Sequence, residues 1–180
     1  PALAAMLGTT VDALLGYAAP RLSRYEAAYE GTDFYWGLNP NRLCYEIMKL
    51  RPPVQPCRVL EIGCGEGKDA VFFARNGYTV TAFDIAVAGV EKGRVLAERA
   101  GVQVHFFQAD AADYEPAGEY DVIYSSSALE YLPVSARARV IDRLRAHTAP
   151  HGLNVINVLV EKPFIPRAKS KGGNLWRSGE

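Results

Sequence analysis

The sequence predicts a doubly wound α/β fold with a mostly parallel sheet, and three features of the chain support this prediction. Apolar, β-rich segments alternate with helical segments between residues 58 and 160. Several apolar segments are nearly continuous, as in Val-Ile-Asn-Val-Leu-Val at residues 155–160, which is typical of strands covered on both faces. The short strand–helix–strand connections favour parallel strands joined by right-handed crossovers.

Five strands and three helices are predicted in this part of the chain. The strands cover residues 58–63, 78–84, 102–108, 120–125 and 153–160, and the helices cover residues 68–76, 87–100 and 135–147. Gly77 and Gly101 stand where a left-handed residue commonly ends a helix. Upstream, Asn39-Pro40 is interpreted as a helix start, with Asn39 as the N-cap and Pro40 at the first helical position.

Length and charge favour one globular domain. The 180 residues suit a single hydrophobic core, with a helical lid or extension at residues 1–50, an α/β core at 51–160 and an irregular tail at 161–180. Twenty basic residues balance twenty acidic ones, which argues against a nucleic-acid partner. The sequence holds no apolar run near the ~20 residues that a membrane span needs. We therefore expect no membrane partner and a cytoplasmic location.

Cysteine and histidine usage supports the same location. Cys44, Cys57 and Cys64 form no CxxC pair, and an odd number of cysteines suits a reducing compartment better than a disulfide framework. The three histidines do not cluster with them at ligand spacing, so no metal site is expected.

The segment with the clearest chemistry is Glu61-Ile62-Gly63-Cys64-Gly65-Glu66-Gly67, which runs from a predicted strand into a helix. Glycines at such a turn let the backbone approach a ligand, so Gly63, Cys64, Gly65 and Gly67 are candidate cofactor-binding residues. The dinucleotide pattern GxGxxG does not fit, because Lys68 stands at its third glycine. Glu61 has three interpretations: it anchors the turn, it meets a ligand ammonium through the loop and water, or it is a buried residue bonded to local N–H groups.

Two further carboxylates follow the second and third strands. Asp84, next to Ile85, stands where a carboxylate accepts ribose hydroxyls, although it also suits an N-cap. Asp110 is placed to bind an adenine amine, with the Ala111 N–H reaching a ring nitrogen, and its alternative is an ordinary turn residue.

Together these pieces resemble class I S-adenosylmethionine-dependent methyltransferases, over residues 57–160. The matching segments include residues 61–67, Asp84, Asp110, Tyr120-Asp121-Val122-Ile123 and Ala149-Pro150-His151-Gly152. More narrowly, the chain is similar to the tellurite-resistance methyltransferases of bacteria. That similarity is carried by Tyr35-Trp36-Gly37-Leu38, Ala74-Arg75-Asn76-Gly77-Tyr78 and Ser178-Gly179-Glu180.

The resemblance implies a Rossmann-like core that binds S-adenosyl-L-methionine and releases S-adenosyl-L-homocysteine. The acceptor expected from the narrower family is a small molecule, a chalcogen oxyanion or a thiol. The Asn/Asp-Pro-Pro-aromatic sequence of amide and base methyltransferases is replaced here by residues 125–131. In that segment Ser126 and Tyr131 are expected to line the donor pocket, although loop and helix-cap roles fit the serines equally well.

Three aromatic residues and one arginine complete the candidate site. Phe34, Tyr35 and Trp36 are interpreted as a lid near the donor's sulfonium, as core beneath the added helices, or as both at once. Arg177 is a candidate for orienting an anionic acceptor, and an inert tail residue is the alternative. The sequence assigns no catalytic base.

The end of the sheet is expected to be incomplete. The family's sheet finishes with two more strands, whereas residues 161–180 contain Pro163, Pro166 and no alternating apolar pattern. Because the fifth strand is too apolar for a bare edge, we expect either missing final strands or a neighbouring molecule paired along residues 153–160. A short variant with a covered edge is the alternative. For function, a non-catalytic donor-binding module and, less favoured, an NAD-dependent oxidoreductase stay open.

Overall fold

The computed structural model describes residues 25–54 and 56–158. Its strands are β1 (Arg58–Ile62), β2 (Thr79–Asp84), β3 (His105–Gln108), β4 (Tyr120–Ser126) and β5 (Thr148–Asn157). Its helices are α1 (Arg42–Leu50), α2 (Lys68–Arg75), α3 (Val87–Ala100) and α4 (Val134–Ala146), with a 3-10 helix at Leu129–Tyr131. Residues 25–29 are helical as well.

The five strands form one parallel sheet in the order β3-β2-β1-β4-β5. The chain builds outward from β1 to β3, then crosses back to place β4 on the other side of β1. In open α/β sheets, ligands bind at the carboxyl ends of the strands next to such a reversal. The predicted doubly wound α/β fold is therefore confirmed, and its topology places the candidate site between β1 and β4.

Each face of the sheet has its own apolar core. On one face, α1, α2 and α3 cover the buried strand residues Val59, Val80, Ala82, Val122 and Tyr124. On the other face, α4 and the 3-10 helix cover Leu60, Ile62, Phe83, Tyr120 and Ile123. Burial on both faces is why these strands are nearly continuous in apolar residues.

The predicted start of the first core helix is wrong by two residues. Helix α1 begins at Arg42, and its N-cap is Asn41, whose side chain accepts a hydrogen bond from the Leu43 N–H at 3.0 Å. The N–H of Asn41 itself donates to Asp69 Oδ1 at 2.7 Å. This contact with α2 fixes Asn41 as the cap and leaves Asn39-Pro40 outside the helix.

Two strand boundaries also differ from the prediction. Strand β3 begins at His105 because its pairing with β2 starts opposite Thr81; Val102, assigned to the strand, lies before it. Strand β5 begins at Thr148, and its register against β4 is irregular between the Tyr120 and Val122 pairs. Gly152 lies in that irregular segment, where a Cβ would meet Ala149 O at 2.8 Å.

The glycines predicted to end helices have the expected conformation. Gly101 caps α3 with φ +66°, and Gly77 follows α2 with φ +91°. Both values lie in the left-handed region that favours glycine.

The outer edge of β5 is open in the part of the chain that the structure describes. Within residues 25–54 and 56–158, β5 pairs with β4 alone. Ile156 and Val158 are 38% and 40% exposed. Residues 159–180, and with them the predicted strand end and Arg177, lie outside the described residues, so the incomplete edge stays a prediction. No helix among the described residues is long and apolar enough to cross a membrane.

Candidate functional site

The turn between β1 and α2, residues 63–67, forms the floor of the candidate site. The N–H groups of Gly63 and Cys64 both donate to Phe83 O, at 2.9 and 3.0 Å, and the Gly67 N–H donates to Cys64 O at 2.9 Å. These bonds fold the turn back onto β2. Gly63, Gly65 and Gly67 have φ values of +71°, +52° and +80°, so all three adopt the left-handed backbone that favours glycine.

Neighbouring elements also approach this turn too closely for side chains. A Cβ at Gly63 would lie 2.2 Å from Ala128 Cβ, and a Cβ at Gly67 would lie 2.8 Å from Gly93 Cα. Helix α3 itself reaches the turn through glycines, since a Cβ at Gly89 would meet Gly65 O at 2.8 Å. Gly89 and Gly93 were missed in the sequence analysis, although two glycines one helical turn apart are a readable signal of close packing.

Asp84 ends β2 as predicted, and its carboxylate secures the glycine turn. Oδ2 accepts a hydrogen bond from the Gly65 N–H at 2.7 Å, and Oδ1 accepts one from the Ala86 N–H at 2.9 Å. Burial raises the pKa of Asp84, while these backbone N–H groups oppose the rise. The N-cap of α3 is Ala86, so the simple N-cap alternative for Asp84 is wrong. The ribose contact stays a prediction.

Glu61 is enclosed in the sheet beneath the turn, with only 3% of its surface exposed. Its Oε2 has no hydrogen-bond partner among the described residues. Burial, and next the charge of Asp69, raise the pKa of Glu61 well above its ordinary value. Asp84 therefore bonds to the turn, whereas Glu61 keeps a buried acceptor atom that local N–H groups do not satisfy.

Asp110 lies at the end of β3, next to the end of β2. Its side chain is exposed, and its Oδ1 accepts a hydrogen bond from the Ala112 N–H at 2.8 Å. The ends of the two strands are joined by Gln108 Nε2, which donates to Ile85 O at 3.1 Å. The turn role of Asp110 is thus present, and the adenine contact of Asp110 and Ala111 stays a prediction.

The end of β4 places Ser126 and Tyr131 at different points of the site. Ser126 Oγ accepts a hydrogen bond from Asn41 Nδ2 at 3.0 Å, which ties β4 to the start of α1. The Tyr131 hydroxyl lies 2.6 Å from the Tyr25 hydroxyl. Whether either residue lines a donor pocket, as the sequence suggests, stays a prediction.

An aromatic cluster covers the glycine turn. Tyr29 is 5% exposed, and its hydroxyl oxygen lies 3.0 Å from the position of a Cβ on Gly65. That hydroxyl accepts a hydrogen bond from Trp36 Nε1 at 2.8 Å. Tyr35 and Trp36 are 50% and 52% exposed. The helices expected to pack on them include residues 1–24, which lie outside the described residues, so the lid and core interpretations of the aromatic residues both stay predictions.

Several contributors to the site come from residues that the sequence analysis did not select. They share one property, which is that they connect the segment before α1 to the glycine turn, to α3 or to the 3-10 helix at Leu129–Tyr131: Tyr25, Glu26, Tyr29, Glu66 and Lys92. For example, Glu26 Oε1 accepts a hydrogen bond from the Ala88 N–H at 2.8 Å. Their partners lie up to 106 residues away along the chain, so sequence spacing gives no signal for them.

The arrangement fits an adenosine-bearing ligand with an amino-acid part on two observations. The turn offers a backbone cradle without side chains at Gly63, Gly65 and Gly67, and the buried Oε2 of Glu61 supplies an acceptor of hydrogen bonds beneath it. Within the described ranges, no group of three His, Cys, Asp or Glu side chains is arranged to hold a metal ion. A surface groove beside Arg94 and His105 lies at the opposite, amino ends of β2 and β3 and does not include the turn.

Comparison with known proteins gives a family and a fold. A family model described as a methyltransferase domain matches residues 59–152. Hemagglutinin 1 of Eikenella corrodens is 34% identical over 106 residues, which are 57% of this chain and 34% of that protein. The ubiquinone biosynthesis O-methyltransferase of Rickettsia felis is 29% identical over 125 residues, which are 68% of this chain and 50% of that protein. The chain thus spans half or less of the length of these two curated relatives.

Two solved structures share the architecture. TehB from Haemophilus influenzae superposes with a TM-score of 0.65 at 20% identity, over 87% of this chain and 50% of that one. A SAM-dependent methyltransferase from Thiobacillus denitrificans, solved in complex with S-adenosyl-L-homocysteine, superposes with a TM-score of 0.58 at 22% identity, over 76% of this chain and 54% of that one. At these identities the likeness establishes the fold.

Proposed function

The chain belongs to the methyltransferase domain family and has the class I fold, and from this premise we propose that it transfers a methyl group from S-adenosyl-L-methionine to a small-molecule acceptor. The observation that carries the proposal is the glycine turn held by Asp84. Three left-handed glycines form a cradle there, and the Asp84 carboxylate bonds to its Gly65 N–H at 2.7 Å. S-Adenosyl-L-homocysteine is then the product that leaves the same cradle.

The residues assigned to the donor follow the ends of successive strands. In this proposal the turn at Gly63, Cys64, Gly65 and Gly67 receives the amino-acid part, with Glu61 beneath it. Asp84 and Ile85 lie at the ribose. Asp110 and Ala111 lie at the adenine. Tyr35, Trp36, Ser126 and Tyr131 surround the donor on the open side.

The protein's part in the reaction is positioning and exclusion of water. When bound, the donor supplies a methyl group that its sulfonium has already activated for an in-line displacement. The turn and Asp84 fix one side of the site through backbone geometry that is set before a ligand arrives. Tyr29 and Trp36 lie against that turn, and Tyr35 packs on both of their rings. In this proposal the three aromatic residues limit access of water to the reacting atoms.

The acceptor in this proposal is soft, a chalcogen oxyanion such as tellurite or selenite, or a thiol. Such nucleophiles need little help from a base. Burial raises the pKa of Tyr29 far above its ordinary value and also raises that of Cys64, so these two hydroxyl and thiol groups at the turn stay protonated. The resemblance to tellurite-resistance methyltransferases supports the oxyanion.

An oxyanion acceptor requires a positively charged side chain that is not already paired with a carboxylate. Lys68 and Lys92 beside the turn pair with Asp69 and Glu66, both at 2.8 Å. An anionic acceptor needs a further cation, for which Arg177 is the candidate. Cys44, Cys57 and Cys64 are free thiols, which supports a cytoplasmic location, and we propose neither a nucleic-acid nor a membrane partner.

The direct test is transfer of a labelled methyl group by the purified protein. We expect label in selenite, tellurite or a small thiol, and S-adenosyl-L-homocysteine binding by calorimetry that excess NAD does not displace. Label in an amide or nucleic acid but in none of the chalcogen or thiol acceptors would reverse the acceptor assignment. Binding without transfer to any acceptor would favour a non-catalytic module, and displacement by NAD would favour the oxidoreductase.

A further inference from the structure

Lys92, on α3, lies where three parts of the molecule meet. Its Nζ donates hydrogen bonds to Glu66 Oε1 in the glycine turn at 2.8 Å and to Asp33 O at 2.6 Å. The same Nζ lies 5.4 Å from the ring centroid of Phe34. The ammonium group of Lys92 thus connects α3 to the glycine turn and to residues 33–36, which we call the aromatic segment.

The carboxylate of Glu66 extends this connection. Only 2% of its side chain is exposed, and its second oxygen, Oε2, accepts a hydrogen bond from the Trp36 N–H at 3.2 Å. Each oxygen of Glu66 therefore has its own partner, one on α3 and one on the backbone of the aromatic segment. The side chain of Trp36 lies over the glycine turn, with its Cδ1 3.8 Å from the position of a Cβ on Gly65.

Burial distinguishes this ion pair from exposed pairs on the helices. The side chain of Lys92 is 17% exposed, whereas the Lys49–Glu46 pair on α1 is 69% and 44% exposed. Exposed pairs contribute little to stability, but removal of one partner from a buried pair leaves an uncompensated charge. Lys92 and Glu66 therefore hold a defined geometry, and that geometry joins the aromatic segment to the glycine turn.

We propose that Lys92 is a positioning residue for the methyl donor, because through Glu66 and Asp33 it holds Tyr35 and Trp36 beside the glycine turn. The inference rests on the proposed function, in which the donor binds at that turn. Without the ammonium of Lys92, the aromatic segment loses its link to α3 and leaves the turn more open to solvent.

The test uses Trp36 as a reporter. Trp36 and Trp176 are the two tryptophans of the chain, so Trp176→Phe leaves Trp36 as the single fluorophore. In that background Lys92→Met should increase acrylamide quenching of Trp36 and weaken S-adenosyl-L-homocysteine binding by about tenfold, which corresponds to about 1.4 kcal/mol. Lys49→Met, which removes an exposed partner of a similar ion pair, is the matched control and should change neither measurement.

A second variant separates positioning from general destabilisation. Lys92→Met combined with Glu66→Gln leaves no unpaired buried charge, so thermal stability should recover while donor affinity stays low. Quenching of Trp36 or donor affinity unchanged in Lys92→Met would overturn the inference, as would recovery of affinity together with stability in the double variant. If the Trp176→Phe parent binds no S-adenosyl-L-homocysteine, the proposed function itself fails, while quenching still reports whether Lys92 holds Trp36.

Discussion

The glycine turn and the aromatic segment lie against each other in the candidate site, and they are held in different ways. The turn is fixed by backbone conformation and by buried groups, including Cys64 and Glu66, which are 6% and 2% exposed. In the aromatic segment, Tyr35 and Trp36 are half exposed. Its bonds to the core include the Trp36 N–H to Glu66 and Asp33 O to Lys92.

This difference separates the parts of the site that carry the fold from the parts that adjust to a ligand. A change in the turn disturbs β1, β2, α3 and the segment after β4 together. The turn continues β1, bonds to Phe83 O on β2 and lies against Gly93 on α3 and against Ala128. A change in the aromatic segment alters exposed rings whose attachment depends on a few polar contacts. We therefore expect changes in the turn to reduce stability as well as binding, and changes in the aromatic segment to affect binding more than stability.

The largest expected effect compares Gly67, in the turn, with Gly37, the residue that follows the aromatic segment. Gly67 and Gly37 have similar φ values, +80° and +68°, but a Cβ at Gly67 would lie 2.8 Å from Gly93 Cα, whereas a Cβ at Gly37 meets nothing within 4 Å. Gly37→Ala should cost about 1 kcal/mol of unfolding free energy for the left-handed backbone alone. Gly67→Ala should cost about 3 kcal/mol or more, because overpacking adds to that strain.

Urea unfolding of both variants measures these costs. Because the backbone strain is similar at the two glycines, the difference between them isolates the steric term. Equal losses of stability would show that packing against α3 does not distinguish the turn from the segment beside it.

A smaller effect is expected at the strand-end carboxylates. Asp84→Ala should weaken S-adenosyl-L-homocysteine binding by roughly 1–3 kcal/mol, the range for hydrogen bonds to a charged group. Asp110 is exposed at the same edge of the sheet, so Asp110→Ala should cost less than Asp84→Ala. Calorimetry gives both affinities, and circular dichroism checks that the fold is retained. An affinity unchanged by Asp84→Ala would remove the ribose assignment.

The smallest effect concerns the pH dependence of stability at Glu61. Burial and the charge of Asp69 raise the pKa of Glu61 well above 4.5. Between 4.5 and the raised value, the folded state binds more protons than the unfolded state, so stability is lost as pH rises. Glu61→Gln does not titrate, and its melting temperature relative to the parent protein should increase from about pH 5 to about pH 8.

The exposed residue Glu46 provides the control for this experiment. Its side chain is 44% exposed on α1, so the melting temperature of Glu46→Gln should follow that of the parent protein at every pH. Parallel curves for Glu61→Gln and the parent would contradict the assignment of a raised pKa to Glu61.

The sequence predicted the elements whose signals are local. Continuous apolar segments located all five strands, and the spacing of Gly63, Gly65 and Gly67 located the turn. The boundaries that failed depend on distant partners. Asn39-Pro40 has the residue types of a helix start, yet Asn41 is the cap because its N–H bonds to Asp69, 28 residues away.

The candidate site was predictable to the same extent. Asp84 was selected because it ends a strand, and it lies at the turn as expected. Tyr29, Glu66 and Lys92 were missed, because their roles come from contacts between the segment before α1, the turn and α3. No pattern of spacing within any one of these segments specifies such contacts.

By itself, the sequence determined the alternation of strands and helices, the glycine turn and the carboxylates at the strand ends, because each depends on neighbours a few residues apart. Only the tertiary structure decided what each carboxylate does. Asp84 accepts hydrogen bonds from the Gly65 and Ala86 N–H groups. Glu66 forms an ion pair with Lys92. Glu61 has a buried oxygen without a hydrogen-bond partner among the described residues. Burial and hydrogen-bond partners set the charge state of a carboxyl group, and both are supplied by residues far along the chain.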